Sequence, residues 1–74
     1  MEKKTLEQII NHEKQHRHEN GNYGIKACKE EILWESKYFK KSLFQLLEEY
    51  FNRANEDAFF NRTMVLACWE LINE

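Results

Sequence analysis

Apolar residues recur along most of the chain at steps of three, four and seven, the period of helices that turn one face to a core. The first such segment opens at Thr5-Leu6-Glu7-Gln8, where the Thr5 hydroxyl can accept from the backbone three residues on and Gln8 can reach back. A helix is predicted from about Leu6 to Glu19. Leu6, Ile9 and Ile10 share a face, but that face continues into Glu13, His16 and Arg17, so only the first two turns can enter a core.

The chain has no proline, and its two glycines, Gly21 and Gly24, sit in Glu19-Asn20-Gly21-Asn22-Tyr23-Gly24. Asn and Gly tolerate the left-handed backbone that ends a helix, so a turn is placed at 20–24. Beyond it, Ile25, Cys28, Ile32, Phe39, Leu43, Leu46 and Tyr50 hold one helical stripe through about residue 53, with Glu35 filling the gap in the row. Leu47, Phe51 and Ala54 broaden the stripe. A single helix of that length would run to about 45 Å, longer than a small bundle needs. A break is therefore expected at 35–37, with Ser36 capping the new start.

The stretch Asn52-Arg53-Ala54-Asn55-Glu56-Asp57 reads as the next turn, with Asn55 as N-cap and Glu56 and Asp57 placed to favour the helix dipole. The last helix is predicted over 56–73. Its apolar residues form two rows, Phe60, Met64, Ala67, Cys68 and Leu71 in one and Val65, Leu66, Trp69 and Ile72 in the other. A helix apolar on so many sides must be covered on several, and two other helices offer little surface. The expectation is one all-α domain over 1–74, a bundle of three helices or four if the middle one breaks near Ser36, completed by self-association into a homodimer.

Length sharpens this picture. With 74 residues there is room for one domain, and a core so small usually needs a disulfide, a metal, a partner or very regular packing. Cys28 and Cys68 could make one disulfide, but residues 2–5, Glu-Lys-Lys-Thr, lack the apolar stretch of an export signal. Reduced thiols in a cytoplasmic protein are expected. No apolar run reaches the length of a membrane span.

Charge divides unevenly. Residues 1–41 hold nine basic and seven acidic side chains, and residues 42–74 hold two and six. Opposite halves of this kind would suit a charged partner or head-to-tail association. A pI near 5.9 gives little of the counterion-release affinity that nucleic acid binding relies on.

Candidate chemistry is sparse. His12 and His16 lie one helical turn apart, as two imidazoles on one metal would, with His18 close behind, but Lys14 and Arg17 oppose a divalent ion and the spacing matches no zinc signature. Cys28 and Cys68 sit within apolar stripes, the setting of inert thiols. There is no phosphate-binding glycine loop and no nucleophile elbow. No cofactor is expected, and no enzyme. No known family's motif can be matched here residue by residue.

What remains is an excess of rings. At 100° per residue, Trp34, Tyr38 and Lys41 form a row distinct from the core row through Ile32, Phe39 and Leu43. Trp34, Tyr38, Lys37, Lys41 and Phe44 are therefore the candidate partner-binding residues, since aromatic side chains dominate binding hot spots. The function expected is that of a small interaction protein that binds and modulates or inhibits a protein partner, in the manner of an accessory protein of a phage or mobile element. Two alternatives are a nucleic-acid-binding regulator using Lys26, Lys29 and the run Lys37-Tyr38-Phe39-Lys40-Lys41, and a small zinc domain.

Overall fold

The structure, a computed structural model, describes residues 4–21, 24–55 and 58–74. Among them are four helices and no strand: α1 Leu6–Gln15, α2 Ile25–Phe39, α3 Leu43–Ala54 and α4 Ala58–Ile72.

Helix α1 starts as its capping box dictates. The Gln8 N–H donates to Thr5 Oγ1 at 3.2 Å, and the Thr5 N–H donates to Gln8 Oε1 at 2.9 Å. It ends at Gln15 with His16 as C-cap, four residues short of the expected Glu19. Past Ile10 the helix has no further apolar residue to bury, so nothing pulls its last turn onto the core. The chain then uses backbone carbonyls to start α2. The N–H groups of Ile25 and Lys26 donate to the carbonyls of His18 and Glu19, at 2.7 and 3.3 Å. Gly24 makes this possible: a Cβ there would lie 2.6 Å from Asn20 O and 2.8 Å from Glu19 O. Gly21 takes the positive φ of 97° that the turn requires.

The middle helix does break, at 40–42 instead of 35–37. Lys40 adopts the left-handed conformation (φ 55°, ψ 46°), and the Lys41 N–H donates back to Ser36 O, the bond pattern that closes helices. Ser42, not Ser36, is the N-cap of α3, accepting from the Gln45 N–H at 3.1 Å. Ser36 has a different task, donating its hydroxyl to Lys41 O at 2.6 Å across the corner. The longest dimension of the molecule is 34 Å, which a continuous 30-residue helix of about 45 Å would exceed.

Helix α4 is the centre of the bundle, packed on by α1, α2 and α3. Met64, Val65, Leu66, Ala67 and Cys68 are consecutive and fully buried, and against them lie Ile9, Ile10, Ile25, Cys28, Ile32, Leu46, Tyr50 and Ala54. The expectation that α4 would need a second chain for cover is corrected here. The extra break supplies a third neighbouring helix, and three helices of the same chain enclose the middle of α4. Asn55, expected to cap α4, instead closes α3, and its side chain accepts from the Lys4 N–H at 3.0 Å. Asn22 and Tyr23 of the expected turn, the expected first-turn charges Glu56 and Asp57, and the side chain of Phe60 lie outside the described residues. No helix among the described residues is long and apolar enough to cross a membrane.

The two oppositely charged halves of the sequence meet within the fold. Glu70 near the end of α4 pairs with Arg17 and, at 3.1 Å, with Lys29 of α2, while Lys29 also reaches Glu74 at 2.7 Å. Lys41 pairs with Glu49 at 2.8 Å. Arg17, Lys29 and Lys41 are thus paired within the chain, and Lys26, Lys37 and Lys40 stay exposed.

Candidate functional site

The site grows from the point where α2 outruns its own core contacts. Ile25, Cys28 and Ile32 bury the first half of the helix. The second half has Glu35 at the next core position, and its carboxylate accepts from the Tyr50 hydroxyl at 2.6 Å. Burial and this bond push the Tyr50 phenol well above its ordinary range. The gap in the apolar row is thus a polar tie between α2 and α3, and the large residues beyond it are left on the surface.

Those residues are Leu33, Trp34, Tyr38 and Phe39 of α2 and Phe44 of α3, with exposures between 51% and 69%. They are organised. Trp34 and Tyr38, one helical turn apart, stack with ring centroids 4.8 Å apart and planes 11° from parallel. Phe39 stands edge-on to both, at 6.0 Å from Trp34 and 5.0 Å from Tyr38. Lys41 extends over the Phe39 ring at 5.8 Å. An exposed cluster of this size is well beyond the scattered apolar residues of an ordinary surface.

Each expected site residue can now be placed. Trp34, Tyr38 and Phe44 are exposed at the α2–α3 corner, and Lys37 is exposed beside them on the last turns of α2. Lys41 is half-buried and held by Glu49, so it borders the cluster as a structural ion pair more than as an open cation. Phe39 and Leu33 were missed. Leu33 lies about 100° round the helix from Trp34, off the core row, a signal present in the sequence. Phe39 has the right phase for the core, and is corrected from a core residue to a surface one because it follows the last buried residue of α2, Ile32, by two turns.

The other candidates fare differently. The His12 and His16 rings lie 4.6 Å apart, tilted by 48°, on the exposed end of α1. His12 approaches Glu13 at 3.8 Å, and Glu13 accepts in turn from Thr63 at 3.3 Å. No three His, Cys, Asp or Glu side chains gather as a metal-ligand set among the described residues. Cys28 and Cys68 are buried and not joined to one another. Burial raises both thiols, Cys68 to about 11, and the Cys68 thiol donates to Leu43 O at 3.0 Å. A thiol so shifted is the reverse of an activated nucleophile. Of the cations proposed for nucleic acid, Lys29 is committed to Glu70 and Glu74.

No protein family, curated protein or solved structure matches the chain.

Proposed function

We propose that the chain is a small binding protein without chemistry of its own, which docks the aromatic corner between α2 and α3 onto a protein partner and modulates or inhibits it. The observation that carries this is the ordered, exposed cluster of Trp34, Tyr38 and Phe39 at the end of α2, with Leu33 and Phe44 also exposed on α2 and α3. Keeping five large apolar side chains in water is costly to solubility and adds little to a fold whose core is closed elsewhere. Ordered rings lose little entropy when a partner covers them, which is why such clusters make binding hot spots. The neighbouring Lys37 and Lys40 supply an open polar rim.

A protein partner fits better than a nucleic acid. The two rings best suited to base stacking already stack on each other, and Lys29 and Lys41 are taken by carboxylates. The test is affinity capture from the native host with the wild-type chain and with Trp34→Ala/Tyr38→Ala. The reading expects proteins held by the former and lost by the latter while helicity is retained. Equal capture by both chains would overturn it, and so would binding to duplex or single-stranded nucleic acid that falls steeply with added salt.

A further inference from the structure

The exposed face of α2 carries its charges in an order that selects an occupant. Around Trp34 lie Glu30 and Glu31 on the N-terminal side and Lys37 on the C-terminal side, all exposed. At 100° and 1.5 Å per residue, Glu30 and Lys37 fall on one flank of Trp34, roughly 40° and 60° round and roughly 6 Å before and 4.5 Å after it. Glu31 and Tyr38 fall on the other flank at nearly matching positions. A uniformly acidic or basic partner would meet repulsion at one end of this face. The same helix running the opposite way would not.

We propose that the corner is covered by a second copy of this chain, with the two α2 helices antiparallel about a two-fold axis at Trp34. Rotation about that axis, normal to the plane of the helix pair, brings Lys37 opposite Glu30 of the second copy and the Tyr38 hydroxyl opposite Glu31, each contact made twice. Trp34 meets its equivalent at the centre, with its stacked Tyr38 on either side. Of the exposed apolar side chains only Trp34 and Tyr38 lie on this face; at about 200 Å² each and half or more exposed they give, with the flanking Glu30, Glu31 and Lys37, a few hundred Å² per copy, below the size of stable specific interfaces. The dimer is accordingly weak, dissociating in the micromolar range or above. This inference rests on the reading of the corner as a protein-docking surface and names what docks there.

The experiment is sedimentation equilibrium from micromolar to near-millimolar chain. The average mass should rise from 9.1 kDa towards twice that value. Lys37→Glu and Glu30→Lys, both at exposed positions, should each weaken association at least about tenfold, because like charges then face each other twice. An equimolar mixture of the two variants should regain wild-type association, since Glu at 37 of one chain then meets Lys at 30 of the other. A wild-type chain that stays at 9.1 kDa, or a mixture no better than its components, overturns the inference. If the wild type is monomeric while Trp34→Ala still loses proteins captured from the host, the docking reading survives without the second copy. If Trp34→Ala dimerises as well as wild type, the interface lies elsewhere and the inference falls, while the docking reading is decided by the capture experiment alone.

Discussion

Phe44 and Leu46 sit two residues apart on α3 and should respond to truncation to very different extents. Phe44 is 69% exposed, so Phe44→Ala removes only about 60 Å² of buried surface, about 1.5 kcal/mol at ~25 cal/mol per Å² as an upper bound. Alanine's better helix propensity returns a few tenths, leaving a loss of about 1 kcal/mol. Leu46 is 1% exposed and belongs to the core with Cys28, Tyr50 and the middle of α4. Leu46→Ala adds a cavity to the lost burial and should cost about 2–5 kcal/mol. In a chain of this size 1 kcal/mol moves Tm by about 4–8 °C. Thermal unfolding by circular dichroism should therefore drop by about 4–8 °C for Phe44→Ala and by at least twice as much for Leu46→Ala. Equal losses would mean that the ring helps to hold the fold together, and the corner would no longer be a surface left over for binding.

Three further outcomes follow from the backbone and the buried thiols. Gly24→Ala pushes a Cβ into the carbonyls of Asn20 and Glu19 and should destabilise by about 1–3 kcal/mol in chemical denaturation. Lys40→Gly relieves the left-handed residue at the end of α2 and should raise Tm by a few degrees, whereas Lys40→Val should lower it. Alkali should destabilise the fold. The Cys68 thiol is raised to about 11 in the folded chain against about 8.5 unfolded, so its contribution is complete below pH 8.5 and lost as pH climbs towards 11. The loss in urea midpoint over that range should shrink in Cys68→Ala.

The sequence made the helices legible where side chains act locally. The Thr5/Gln8 capping box and the apolar rows of Ile9 with Ile10 and of Met64 through Cys68 placed α1 and α4 within a few residues. The break was expected too early because Ser36 is as good a cap on paper as Ser42, and nothing local announces that Lys40 will turn left-handed. Trp34 and Tyr38 could be found as a surface row by helical phase alone. Phe39 could not, since phase gives the face of a helix and not the length over which that face is covered. The paired charges Arg17–Glu70 and Lys29–Glu74 are 53 and 45 residues apart, and only the packing of α1 and α2 against α4 brings them together.

The most direct test is a backbone amide NMR spectrum of the wild-type chain recorded across a concentration series. If the α2–α3 corner docks a second copy, the signals that shift with concentration will be those of residues 30–44, saturating together, with α1 and the middle of α4 unmoved. Spectra that do not change with concentration, or shifts centred on α1 or α4, would contradict it.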